Sequence, residues 1–393
     1  MRQNCAALCL AAAAVLGPIA AAQAADPIKI GIIHPYSGPL SLVGIDATNG
    51  FTLYFDEHGN KAAGRDIVLL REDTAAIPAQ GMERTRRLVE RDQVALLTGI
   101  TNSAVAYAIR DYIHDKQMPL VVMGSAGAND ITDKLADPMI FRTSFSNRQL
   151  GGPFGSYACK TLGYKHIVVM TSDFVTGYEQ GNAFEDAYKK AGCEVAKEIR
   201  APLGTSDFAP FLSQIPPSGV DAVWAMFFAA DAIAFVKQYE AFGLKDKIPL
   251  TAPAGTADQA LLPAMGKSAV GIVSTTLYTP YLDNPENRAF VEAFRAKYNT
   301  LPGSTALSGY VAARAIATAL EAVGGKIENK QEFLAALRQV KFDKTPMGPF
   351  RFDDKQNVIF DLYLTKVVER DGKIVPETIG VMAHDVDQFG NFK

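Results

Sequence analysis

The chain has 393 residues, of which 48% are apolar and 21% charged, a globular balance with material for two or three domains. A net charge of −3, without a lysine-arginine stripe, argues against nucleic acid or an anionic membrane surface as partner. Five scattered histidines and four cysteines, none at ligand spacing, argue against a metal centre.

Residues 1–24 read as a secretory leader. Arg2 precedes an unbroken apolar stretch from Cys5 to Gly17, and Ala22-Gln23-Ala24 offers a cleavage site. The stretch is too short to span a bilayer, and Ala6-Ala7-Leu8 before Cys9 fits a lipid-attachment signal poorly. The expected mature product is a soluble protein outside the cytoplasm. It keeps Cys159 and Cys193, each beside a helix flanking one strand. In an oxidising compartment a disulfide and two buried free thiols both remain open readings.

From Ile28 onward the pattern alternates strand and helix. Apolar runs at 28–33, 67–72, 94–98, 119–123, 167–171, 222–226 and 271–275 read as strands. Amphipathic helices lie between them, such as 80–91 with Met82, Leu88 and Val89, and 231–242 with Ile233, Phe235, Val236 and Tyr239. This is an α/β chain with parallel sheets, and the strand count implies two such domains. No Gly-, Pro- or Ser-rich linker separates them, so ordered crossovers and a hinge are expected. Near the end, 358–369 alternates like an antiparallel strand, Arg370-Asp371-Gly372-Lys373 reads as a turn, and 374–376 returns.

Two small-polar loops close consecutive strands: Gly99-Ile100-Thr101-Asn102-Ser103 and Met123-Gly124-Ser125-Ala126-Gly127-Ala128-Asn129. Parallel sheets bind ligands beyond the carboxyl ends of their strands, which puts a candidate site near Ser103 and Ser125 to Gly127. Catalytic signatures are missing together. There is no Gly-x-Ser-x-Gly elbow, no Gly-x-Gly-x-x-Gly fingerprint after the first strand and no phosphate loop. A binding protein without cofactor is expected, not an enzyme.

The leader, Ile28-Lys-Ile-Gly-Ile-Ile-His-Pro-Tyr-Ser-Gly-Pro-Leu40, Gly99 to Ser103, Phe141-Arg142-Thr143 and Met347-Gly348-Pro349 resemble the periplasmic solute-binding proteins of ABC importers related to the leucine/isoleucine/valine-binding protein. The resemblance runs from about Ile28 to Lys373. It implies two Rossmann-like lobes with parallel central sheets joined by three crossovers, one of 26–143 plus 276–349 and the other of 144–275 plus 350–393. It also implies a monomer that delivers a small solute to an inner-membrane permease. A ligand sensor of the same fold is a second class.

By that resemblance Ser103, with Asn102 beside it, matches the serine that holds the ligand carboxylate. Ser125, Ala126 and Gly127 match the next loop's hydroxyl and backbone groups. Thr176 replaces a family tyrosine, Phe228 matches an aromatic of the second lobe, and Ala254 stands where amino-acid binders carry the acid for the ligand ammonium. Tyr36, Leu42, Val43, Phe174 and Phe228 would supply an apolar, aromatic wall. Burying an unpaired ammonium costs several kcal/mol, so the pattern favours an aromatic acid without an α-amino group. The competing reading restores amino-acid or amide binding through another acid, Asp231 or Asp258. Arg142 is expected as a crossover ion-pair residue and Trp224 as core. His34 is open between the cleft and a satisfied strand end.

Overall fold

The computed structural model describes residues 26–392; the expected leader lies outside them. The first sheet contains β1 (Ile28–His34), β2 (Lys61–Ala62), β3 (Arg65–Asp73), β4 (Leu96–Gly99), β5 (Leu120–Val122) and β6 (Ile140–Arg142). Their order is β2-β3-β1-β4-β5-β6, parallel except for the short β2. β4 and β5 are buried along their whole length, which is why they read as unbroken apolar runs.

The second sheet is built on β7 (His166–Asp173), β8 (Glu194–Pro202), β9 (Ala222–Met226), β10 (Leu250–Pro253) and β11 (Val273–Thr276), parallel in the order β8-β7-β9-β10-β11. Two short strands, β12 (Lys341–Phe342) and β13 (Phe350–Phe352), lead antiparallel into β14 (Val358–Arg370). β14 pairs antiparallel with both β11 and β15 (Lys373–Val386). Asp371 and Gly372 turn this hairpin with positive φ at 51° and 70°, as a two-residue turn requires.

The chain passes between the two cores three times. It leaves β6 for the Asn147–Lys160 helix beside the second sheet, and leaves β11 for the Pro285–Tyr298 and Ser304–Ala322 helices of the first core. It returns through β13 and β14, whose Val358, Phe360 and Leu362 belong to the first core and Val367 to the second. A bridge between Arg142 and Asn357 fastens the first sheet to this strap. Ordered backbone thus makes every crossing.

All seven expected strands form. Four of at least three residues were not expected. β6, β13 and β10 are only three or four residues long, and β8 is a charged edge strand whose residues alternate with solvent. The expected 80–91 helix is α-helical over Pro78–Arg86 and widens into a π-turn at Arg87–Arg91. The return strand runs ten residues beyond the expected 376, to Val386. Cys159 and Cys193 are joined by a disulfide with Cα atoms 5.9 Å apart, which decides between the two open readings. Trp224 is fully buried in β9 and stacks on Phe184 at 4.5 Å, as a core residue.

Candidate functional site

The cleft between the sheets narrows to a cavity of about 30 Å³ lined by Leu42, Val43, Asp46, Ser125, Phe145, Phe228, Ala254, Gly255, Asp258, Ala260, Leu261, Ser304 and Thr305. Its walls come from the carboxyl ends of β5, β6, β9 and β10 and from the first turns of two helices, Ser41–Glu57 and Ser304–Ala322. This is the crevice that open parallel sheets leave for ligands.

Those two helices are set by backbone contact. A Cβ at Gly50 would collide with the carbonyl of Ala306, so only glycine lets them cross this closely. The crossing carries Asp46, one turn beyond Leu42, onto the start of the later helix. There the Ala306 N–H donates to Asp46 Oδ2 at 2.8 Å and the Thr305 hydroxyl donates to the same oxygen at 2.7 Å. Asp258, from the loop after β10, accepts the Ser304 N–H at 2.9 Å and the Ala260 N–H at 3.0 Å. One helix N-terminus is therefore capped by two carboxylates arriving from different sheets. Burial, reinforced by the Asp258 charge, pushes the Asp46 carboxyl up to about 7 against the hydrogen bonds that favour its ionised form.

The apolar wall is aromatic. Phe228 caps the Ala229–Ala241 helix, and Phe174 packs edge-on to it with ring centroids 6.5 Å apart. Phe145, 4% exposed, follows β6. Ala254, also 4% exposed, brings only a methyl group to the cavity wall.

Of the residues singled out from sequence, Leu42, Val43, Ser125, Phe228, Ala254 and Asp258 line the cavity. The others do not. Asn102 caps the Ser103–Asp115 helix by accepting the Ala104 N–H, and donates to the Ala76 carbonyl at 2.9 Å. Ser103 is buried and accepts the Ala128 N–H at 3.1 Å. The N–H groups of Ala126 and Gly127 donate to the carbonyls of Ile100 and Ser125. Thr176 is buried in the first turn of the Val175–Lys190 helix. Tyr36 is tied by its hydroxyl to Thr48 at 2.9 Å, and burial pushes its ionisation up to about 12. His34 is wholly buried, paired through Nδ1 with Thr101 Oγ1 at 2.9 Å, and burial holds its pKa down near 3. Asp231 is turned to the Gly204 N–H at 2.8 Å, outside the cavity lining.

Arg142 was expected to make an ion pair, and among the described residues it makes none. Its fully buried guanidinium donates instead to neutral acceptors: Asn357 Oδ1 at 2.6 Å, the Ala128 carbonyl at 2.7 Å, Thr132 Oγ1 and, at 3.4 Å, the Ala126 carbonyl. The cation thereby braces the loop that carries Ser125.

Two α/β lobes joined by three crossovers thus enclose the cleft. A family model described as periplasmic binding protein matches residues 27–373, and the chain belongs to this family. It is 33% identical over 372 residues to the Leu/Ile/Val-binding protein homolog 6 of Brucella suis, covering 93% of each chain. A solute-binding protein of an ABC transporter from R. palustris, solved in complex with benzoate, superposes with a TM-score of 0.86 at 32% identity, over 93% of this chain and 99% of that one. A second from R. palustris, in complex with 4-hydroxybenzoate, gives 0.87 at 30% identity over 93% and 99%. The chain is thus similar to substrate-binding components of ABC transporters, which work with a membrane permease. Among the described residues no helix is long and apolar enough to cross a membrane.

Proposed function

We propose that the protein captures an aromatic carboxylate lacking an α-amino group and delivers it to an ABC permease. The observation that carries the reading is Ala254, a methyl group at the lining position where an amino-acid binder of this family would hold the ligand ammonium. Phe228 and Phe145 supply aromatic surface for a ring, and the Ser125 hydroxyl, which donates to the Thr101 carbonyl at 3.3 Å, would turn from it to the ligand carboxylate. The benzoate and 4-hydroxybenzoate complexes of similar proteins support the same class. In this reading 26–143 plus 276–349 and 144–275 plus 350–393 act as the two lobes, the crossovers flex, and closure excludes water from the ring and its carboxylate.

A second reading, an amino-acid or amide binder, draws on Asp258, which lines the cavity as the alternative acid. Its carboxylate is already committed to the Ala260 and Ser304 N–H groups, which weakens it as an ammonium partner. A thermal-shift screen separates the readings. Benzoates, cinnamates and phenylacetates should raise the midpoint, whereas branched and aromatic amino acids should not. A ligand at 100 times its Kd stabilises the fold by about 2.7 kcal/mol, a readable shift. Shifts confined to amino acids would overturn the proposal. In Ala254→Asp the aromatic-acid shifts should disappear, because the new carboxylate would face the ligand's own.

A further inference from the structure

We infer that Asn357 and Gln149 are positioning residues of the loop that carries Ser125: acting through Arg142, they tie residues 125–128 to two of the chain crossings. The inference goes beyond the capture reading and holds whichever solute the cleft takes.

The loop is bonded asymmetrically. Its N–H groups face the neighbouring Gly99 to Ser103 loop, Ala126 donating to the Ile100 carbonyl at 3.4 Å and Ala128 to Ser103 Oγ at 3.1 Å. Its carbonyls face the first crossing. Arg142 Nη1 donates to the Ala126 and Ala128 carbonyls, and the Asn147 N–H donates to the Gly127 carbonyl between them at 2.7 Å. Three consecutive carbonyls are thus held from the two ends of the segment that leaves the first sheet.

Arg142 is itself held from the third crossing. Its Nε donates to Asn357 Oδ1 at 2.6 Å, and Asn357 Nδ2 donates to Gln149 Oε1 at 3.1 Å. Gln149 Nε2 then donates to the Val358 and Val386 carbonyls, both at 2.9 Å. All three side chains are fully buried. The relay has one polarity. A guanidinium only donates, so Asn357 must turn its oxygen to Arg142 and its amide protons to Gln149. Gln149 must in turn present its oxygen to Asn357 and its protons to the strand carbonyls. Nothing is left over: Asn357 Nδ2 also donates to the Val358 carbonyl at 2.8 Å, and Gln149 Oε1 also accepts the Ser146 N–H at 2.6 Å. Breaking a link leaves a buried polar atom unmatched.

The backbone gives a second, independent sign. Gln356 holds φ at +66°, a conformation that costs a non-glycine residue and persists only where its surroundings enforce it. Its carbonyl accepts the Arg142 N–H at 2.9 Å, and its side chain donates to the Ile140 carbonyl at 2.8 Å. The strained turn delivers Asn357 to Arg142. In the capture reading the crossings flex, and a solute settling on Ser125 to Gly127 would act on them through this contiguous network without touching them.

Hydrogen exchange read by mass spectrometry on the mature chain, with no solute added, tests this. Gln149→Met nearly keeps the side chain's volume and removes its amide. In that variant, peptides covering 123–129 should exchange at least about tenfold faster, while those covering β1 and β4 keep the wild-type rate. Asn357→Asp should loosen the loop as well, because it offers Arg142 an anion but brings a bare oxygen against Gln149 Oε1. Three results would overturn the inference: unchanged loop exchange in Gln149→Met, exchange faster everywhere by one factor, or a loop tightened in Asn357→Asp. Should the variants not fold, the wild type carries its own test. Under mild denaturant the amides of 126–128 and of 147–149 should open as one unit, with a common dependence on denaturant. Separate openings would contradict the relay. With no solute present, none of these outcomes bears on the proposed solute class.

Discussion

Gly255 lies against the ring of Phe228: a Cβ on Gly255 would stand 2.7 Å from Phe228 Cδ1, and its backbone holds φ at +100°. Both facts penalise any other residue here, the first by collision and the second by backbone conformation. Gly255→Ala should lower stability by about 1–3 kcal/mol and displace the ring. If Phe228 forms the aromatic wall, affinity for aromatic acids should fall in the same variant. Calorimetry and thermal melts would read the two effects separately. Unaltered affinity would remove Phe228 from the site.

Arg142 sets the loop bearing Ser125 without touching the cavity. Truncation in Arg142→Ala would strip Asn357, Thr132 and the Ala128 carbonyl of their buried donor. The expected loss is about 3–5 kcal/mol, measured by chemical denaturation. Arg142→Lys should recover only part of it, since one ammonium cannot reproduce the guanidinium fork.

The Cys159–Cys193 bridge closes a loop with a sequence separation of 34 and fastens the helices beside β7. Replacing both cysteines by serine should cost about 3–4 kcal/mol through the greater freedom of the unfolded chain. A reducing agent should lower the melting midpoint of the wild type but not that of the double variant.

Stability should depend on pH through Asp46. Its carboxyl is raised from 3.8 to about 7 in the folded protein, so folding favours the protonated form. That contribution is complete below about pH 4 and is lost as pH rises through 7, with a slope of at most about 1.4 kcal/mol per pH unit. His34 acts oppositely. Its lowered pKa makes it a stabilising group above pH 6.5, and that stability is lost as pH falls towards 3. The informative quantity is therefore the difference between Asp46→Asn and wild type. The variant should gain relative stability from pH 4 to pH 7.5. A difference that stays flat across this window would contradict the assignment.

Much of the scaffold is visible in local sequence because buried parallel strands leave continuous apolar runs. β1, β4 and β5 show this plainly, whereas β8 hides because its edge position allows Glu194 and Glu198 to face water. The site is legible only in part, for a related reason. Ser125, Phe228 and Ala254 sit directly beyond strand ends, where the fold itself predicts ligand contact. Asp46 and Ala306 are 260 positions apart and meet only because Gly50 lets two helices touch. No local pattern announces such a pair. Ser103 and Asn102 carry the right chemistry at the right strand end, yet the helix start and the Ala128 N–H claim their polar atoms. Arg142 looked like an ion-pair residue because a buried cation ordinarily needs an anion; carbonyl, hydroxyl and amide oxygens converging from three segments serve instead.

The most direct test of the account is a pair of calorimetric titrations on the mature chain, one with 4-hydroxybenzoate and one with L-leucine. The account predicts saturable one-to-one binding of the aromatic acid and no heat of binding from leucine, because Ala254 offers the ammonium nothing. Tight binding of leucine with none of the aromatic acid would contradict it and would make Asp258 the ammonium partner.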